Sequence, residues 1–249
     1  MRLQSFLSRA GIKSRRGVRD ELQAGKIKVN GEVVRISSYP IFPEKDRVTY
    51  LNQEVTLSSR KLYFLFHKPR GVITTAKDTH GRRTVLDYFK NVRERLYPVG
   101  RLDQDTTGLI LLTNDGDLAY RLSHPRYGVW KIYEAFLDRE ISRAETERLE
   151  QGILIEGIKT APCKINILSV HGENSKVEIT LHEGRKRQIR IMFESAGARV
   201  IHLHRKCYGP LDLKGISPGK SRSLSEAEIK QLFKLVSSRS EKPKEVKPH

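Results

Sequence analysis

Apolar positions along this chain follow two periods. Leu3, Phe6, Leu7 and Ala10 fall at i, i+3, i+4 and i+7, the spacing of one helix face, and Gly11 ends it. Ser14 stands where an N-cap belongs, ahead of a second helix with Val18 and Leu22 inward and Gly25 as its stop. Ile27-Lys28-Val29 and Glu32-Val33-Val34 then flank Asn30-Gly31, the dipeptide that most strongly predicts a two-residue hairpin. A polar, serine-containing connector from Val55 to Lys61 follows. The run Leu62 to Phe66 opens a second region.

In that region the period shortens. Leu109 to Leu112 is continuous enough for a strand buried on both faces, and Lys131–Leu137, Lys164–Val170 and Val177–Leu181 predict further strands. Ser142-Arg143-Ala144-Glu145 and Ser225 to Glu228 are capping boxes that start helices, the second with Ile229, Leu232 and Phe233 inward. Arg185 to Ala196 predicts a helix with Ile189, Met192, Phe193 and Ala196 on one stripe. After about residue 237 apolar content nearly vanishes, which predicts a disordered tail over 237–249. The mixed order of strands and helices predicts an α+β fold: a small α/β module over 1–58 and a larger domain over 62–236.

Charge changes this picture. The 249 residues carry 47 Lys+Arg against 29 Asp+Glu, a net charge of +18. A surplus of that size points to a polyanionic partner, because each cation that neutralises a phosphate releases a condensed counterion. Arg2, Arg9, Lys13, Arg15, Arg16 and Arg19 meet one acid, Asp20, in the first twenty residues. A like cluster runs from His182 to Tyr208. Two cysteines, Cys163 and Cys207, exclude a disulfide-stapled scaffold, and no apolar run approaches a membrane span. The N-terminus is too broken in apolar character for a signal peptide. The expectation is a soluble, cytoplasmic, nucleic-acid-facing protein, monomeric for want of an obvious exposed apolar stripe.

The chemistry concentrates in Gly100-Arg101-Leu102-Asp103-Gln104-Asp105-Thr106-Thr107-Gly108, a polar loop with two carboxylates ahead of the buried strand. A calcium loop fails at its twelfth position, where Asn114 replaces the bidentate glutamate. A magnesium site on Asp103 and Asp105, on one face of an extended segment, and a single aspartate acting without metal both remain open. His202, His204 and Cys207 suggest zinc only faintly, and an RNA-contacting surface accounts better for that stretch. On pattern alone Tyr133 is a core tyrosine, Arg187 and Arg190 a solvated face, Asp105 a hydrogen-bonding loop residue and Asn114-Asp115-Gly116 a turn.

The order of these motifs resembles the RsuA-type pseudouridine synthases. Gly-Arg-Leu-Asp-x-x-Thr-x-Gly-Leu-x-Leu-Leu-Thr-Asn-Asp-Gly is similar to their signature. His67-Lys68-Pro69-Arg70-Gly71 matches a Lys-Pro-x-Gly motif, Gly184 to Arg190 a third motif, and the first sixty residues an S-four-type RNA-binding module. The resemblance implies a catalytic domain with a bent, mainly antiparallel sheet that isomerises uridines of ribosomal RNA without a cofactor. It implies Asp103 as the catalytic carboxylate and Arg101 as the residue that fills the space of a flipped-out base. Tyr133 would stack near the uracil, and Arg190 would pair with the aspartate. Arg2, Arg15, Arg16, Arg19, Lys68, Arg185 and Arg187 are the expected RNA contacts, and the partner is ribosomal RNA or a pre-ribosomal particle. Gly81-Arg82-Arg83-Thr84-Val85 favours the large-subunit (23S) type over the small-subunit (16S) type. A non-catalytic assembly factor on the same fold is the rival from another class.

Overall fold

The computed structural model describes residues 1–57, 60–75, 78 and 80–237; most of the tail expected after residue 237 lies outside them. The chain divides into two compact units, one of Met1–Leu62 with Lys90–Leu96 and one of Tyr63–Phe89 with Tyr97–His249.

The first unit contains α1 (Leu3–Arg9), α2 (Arg15–Gln23), β1 (Ile27–Val29), β2 (Glu32–Val33), β3 (Val48–Tyr50) and β4 (Gln53–Glu54). Its antiparallel sheet has the order β2-β1-β3-β4. The predicted helix faces are the observed ones: Leu3, Phe6, Leu7, Val18 and Leu22 are buried with Ile27, Val29 and Val48. Ser14 Oγ accepts a hydrogen bond from Gly17 N, a cap that contributes about 1 kcal/mol. Asn30 and Gly31 both take positive φ, the type I′ geometry that twists a hairpin in the right sense. Arg15, Arg16 and Arg19 remain exposed along α2, as does Arg2 ahead of α1.

The second unit holds β5 (Tyr63–Lys68), β6 (Tyr97–Val99), β7 (Thr106–Thr113), α3 (Gly116–Ser123), β8 (Lys131–Leu137), α4 (Arg143–Glu150), β9 (Leu154–Ile155), β10 (Ile158–Lys159), β11 (Lys164–His171), β12 (Asn174–Leu181), α5 (Gln188–Ser195), β13 (Val200–Tyr208), β14 (Leu211–Asp212), β15 (Ser221–Ser223) and α6 (Glu226–Ser237). The main sheet runs β11-β12-β8-β13-β7-β5-β15, with β6 on β7 and β14 on β13. Among the described strands only β7 and β13 pair in parallel, with Leu203 opposite Thr106 and Arg205 opposite Gly108. The core packs Leu65, Leu109 and Leu111 against Leu118, Leu122, Leu232 and Val236 from α3 and α6. No helix among the described residues is long and apolar enough to cross a membrane.

Four local expectations need correction. The third-motif helix begins at Gln188, not Arg185, because Arg187 adopts a left-handed φ of 53°. Three consecutive cations would oppose the positive end of a helix dipole, and they form a loop instead. Asn114-Asp115-Gly116 is more than a turn: Asp115 caps α3, accepting from Asp117 N and Leu118 N, and takes a further bond from Tyr63 Oη. Phe233 is exposed, because the buried stripe of α6 runs through Leu232 and Val236, a quarter-turn away. That helix also continues to Ser237, the residue at which the tail was expected to start. Both capping boxes are present as expected, at Ser142–Glu145 and Ser225–Glu228.

Candidate active site

The two-aspartate loop is a built corner, not a mobile connector. Thr106 N donates to Asp103 O, so Asp103 to Thr106 form a β-turn at the mouth of β7. The two carboxylates therefore do not share one face of an extended segment, as the magnesium reading required. Three braces hold the corner. Thr74 Oγ1 donates to Leu102 O at 2.9 Å and accepts from Leu102 N at 3.2 Å. Gly71 N donates to Gln104 O, and Gln104 Nε2 returns a bond to Gly71 O. Lys68 Nζ donates to Thr106 O at 2.7 Å, Pro69 O at 3.1 Å and Gln104 O at 3.4 Å.

Lys68, expected as an RNA contact, instead turns inward. Its side chain is 0% exposed at the end of β5, and its ammonium is spent on backbone carbonyls of the loop. Burial lowers its pKa to about 8, against the opposing pull of Asp105 and Asp103. Because this value lies below the unfolded lysine value near 10.4, the unfolded chain holds more protons between about pH 8 and 10. Raising pH through that window therefore adds stability from this group, and below about pH 8 its slope is flat. Lys131, also lowered to about 8 by burial, acts in the same direction. Lys68→Met should cost about 1–3 kcal/mol at pH 7, since it orphans buried carbonyls, and should reduce the alkaline rise without abolishing it. Urea melts at pH 7.5 and 9.5 check both; an unchanged slope would refute the assignment.

Beside the corner lies a pocket of about 250 Å3, and its wall includes Arg101, Asp103, Tyr133, Leu181, Arg185, Arg187 and Leu203. That size suits a single base-sized guest rather than a larger ligand. Five expected site residues meet here. Arg101 is exposed at the mouth and Tyr133 is buried in the wall. Arg190 stands outside the lining, only 5% exposed, and donates from Nη1 to Val200 O at 2.7 Å.

The expected pairing of Arg190 with Asp103 is not the observed one. Arg190 Nη2 lies 2.9 Å from Asp105 Oδ2, and Arg187 Nη1 lies 3.6 Å from the same oxygen. The turn carries Asp105 toward α5, leaving Asp103 to face the pocket. Burial pulls the Arg190 guanidinium down from its usual range, and Asp105 opposes that shift. Among the described residues, the Asp103 carboxylate makes no hydrogen bond or ion pair, although Arg190 contributes favourable charge nearby. One aspartate is locked by two cations. The other is uncommitted in the pocket.

The rim loop after β12 is held by its own network. Glu183 Oε1 accepts from Gln188 Nε2 and Ala161 N, and Gln188 Oε1 accepts from Arg185 N. Arg185 is half-buried and donates to Ile158 O and Lys159 O in the β9–β10 hairpin, so much of its donor capacity is used within the protein. Arg187 is exposed, and Arg2, Arg15, Arg16 and Arg19 belong to the first unit.

Pattern reading passed over Arg205. It is 2% exposed, donates from Nε to Leu109 O at 2.6 Å, and places Nη1 3.4 Å from Tyr133 Oη. Its guanidinium lies 5.0 Å from the Tyr208 ring and 5.9 Å from the Tyr133 ring, so it is wedged against both. The available signal was a cation alternating with Leu203 on a strand whose neighbours are apolar. His202 and His204 both approach Thr107 Oγ1, at 3.3 and 2.8 Å. No group of three or more His, Cys, Asp or Glu among the described residues is placed to hold a metal ion.

The family model described as RNA pseudouridylate synthase matches residues 62–195, and an S4 domain model matches residues 1–47. Ribosomal large subunit pseudouridine synthase B of Bacillus subtilis is 43% identical over 237 residues, covering 94% of this chain and 96% of that protein. Ribosomal small subunit pseudouridine synthase A of Yersinia pestis is 33% identical, covering 92% and 97%. A crystal structure of a pseudouridylate synthase superposes with a TM-score of 0.68 at 30% identity, covering 93% of this chain and 99% of the other.

Proposed function

Because this chain belongs to the RNA pseudouridylate synthase family, we propose that it isomerises a specific uridine of large-subunit (23S) ribosomal RNA to pseudouridine, with Asp103 as the acting carboxylate. The observation that carries the assignment is the division of labour between the two aspartates. Asp105 is consumed by Arg190 and Arg187, while Asp103 is free in a pocket walled by Tyr133 and Leu203.

The reaction breaks the bond between N1 and the ribose carbon and forms one from C5 to the same carbon. The proton lost from C5 is balanced by one gained at N1. Atoms and electrons are conserved, so the isomerisation needs no redox partner. A uracil within a stacked helix cannot present its glycosidic bond, and the target nucleotide must be extruded at a cost of a few kcal/mol. Arg101, exposed at the pocket mouth, suits the space the base vacates. Tyr133 offers its ring to the detached uracil, and Arg205 anchors that ring through its hydroxyl. Asp103 then either attacks the sugar or base or removes a ribose proton, and each role needs it ionised. Arg190 stays behind the pocket, paired with Asp105 and donating to Val200 O.

Higher identity to the large-subunit relative than to the small-subunit one favours 23S over 16S RNA. The exposed arginines of α2 suit the RNA backbone, and the enzyme acts as a cytoplasmic monomer on RNA or an assembling subunit. Pseudouridine mapping of both ribosomal RNAs, in cells lacking the protein and in cells with it restored, tests the assignment. One large-subunit site should disappear and return; identical maps would reject it.

A further inference from the structure

We propose that Tyr120, His124 and Arg126 form a stacking platform for an unpaired RNA base flanking the target nucleotide, a surface distinct from the pocket that takes the uridine. The inference rests on the RNA-modifying function proposed above. Tyr120 sits on α3 with its side chain outward, 49% exposed, although the adjacent Leu118, Ala119 and Leu122 are buried in the core. The chain then turns through a short 3-10 segment, Pro125–Tyr127, that folds Arg126 back over the helix. The Arg126 guanidinium lies 5.5 Å from the Tyr120 ring centre and 4.6 Å from that of buried Tyr127. His124 lies 5.1 Å from Tyr120, its ring tilted by 56°.

These groups are arranged in advance of any ligand. Arg126 N donates to His124 Nδ1 at 3.2 Å. Arg126 Nη2 donates to Tyr127 Oη, and Arg126 has no carboxylate partner among the described residues. A solvent-facing aromatic ring, backed by a cation without a counter-charge, fits a nucleobase on the ring and a phosphate on the guanidinium. Tyr127 belongs to the core, whereas Tyr120 and Arg126 lie outside it.

Position links the platform to the pocket. Leu181 lines the pocket and pairs with Lys131 at the start of β8. The next residue, His182, donates from Nδ1 to Gly128 O, directly after the 3-10 segment. One hydrogen bond thus ties the end of the pocket-lining strand β12 to the segment that carries Arg126.

The test uses the full chain and 23S ribosomal RNA from cells lacking the protein. The RNA affinity of wild type is compared with Tyr120→Ala, Tyr120→Phe and Arg126→Gln, with Phe233→Ala as a second exposed aromatic outside the platform. Tyr120→Ala should weaken binding about tenfold, Tyr120→Phe within twofold and Phe233→Ala not at all. Arg126→Gln should reduce the slope of log affinity against log salt by about 0.7, the value for one single-strand phosphate contact. Ultraviolet crosslinking of wild type should give RNA adducts on the peptide containing Tyr120 to Tyr127. Equal affinities for Tyr120→Ala and wild type, or crosslinks that spare this peptide, would overturn the platform. Pseudouridine counted in the same RNA reports separately on the enzymatic reading. A wild type that binds through Tyr120 yet forms no pseudouridine would reject that reading and keep the platform.

Discussion

Asp103→Asn should abolish pseudouridine formation, by on the order of 10^4-fold or more, while RNA affinity and thermal stability stay close to wild type. The substitution keeps the shape of the side chain and removes only its ability to ionise. No bond among the described residues is lost with it, since the carboxylate has no partner and the turn is held through Asp103 O, Leu102 and Thr106. A destabilised or non-binding variant would show that the carboxylate is structural. Asp105→Asn gives the contrasting result, since it unpairs Arg190 and Arg187 and its cost falls on folding as well as rate. Single-turnover assays with unmodified ribosomal RNA, together with melting curves, distinguish the two. Turnover by Asp103→Asn within tenfold of wild type would reject Asp103 as the acting group.

The second large effect is on folding. Gly108→Ala should destabilise the protein by about 3–5 kcal/mol and lower its melting temperature by on the order of 10 °C. Gly108 has a φ of +113°, which L residues rarely adopt. A Cβ there would lie 2.5 Å from Arg205 N and 2.9 Å from its carbonyl carbon, and closer still to the oxygen. All three obstacles are backbone of β13, so no side chain can swing aside. Relief requires parting β7 from β13 where they pair in parallel, beside the Asp103 corner and the Arg205 wedge. Gly172→Ala separates clash from strain: it has a φ of +57° and open space around it, and should cost only about 1 kcal/mol. Equal melting shifts for the two variants would mean that the close approach contributes nothing.

What the sequence made legible was mainly local. The Asn30-Gly31 hairpin, the Ser14 cap and both capping boxes depend on residues a few positions apart, and the structure contains each of them. Strands β8, β11 and β12 were readable because their runs are long. What escaped depends on partners distant in sequence. Nothing near Lys68 reveals that the carbonyls of Gln104 and Thr106 will enclose its ammonium, and a lysine in a basic chain reads as a phosphate contact by default. Arg190 is expected beside Asp103 yet pairs with Asp105, because the β-turn that sends the two carboxylates different ways is invisible in a two-residue spacing. Phe233 was placed inward by periodicity, yet the stripe through Leu232 and Val236 already fills the space below α6. Among the pocket's walls, the expected residues Arg101, Asp103 and Tyr133 do meet, and that meeting followed from motif order rather than from any local rule.

The first unit includes Lys90–Leu96, a stretch that the sequence places deep within the second. Arg95 supplies part of that unit's packing, with its Cβ close to where a side chain on Gly11 would begin. The unit is therefore discontinuous along the gene. A recombination event or an expression plasmid that ends near residue 60 transfers most of it but leaves one piece behind. Moving this unit intact into another protein therefore means carrying two stretches of coding sequence at once.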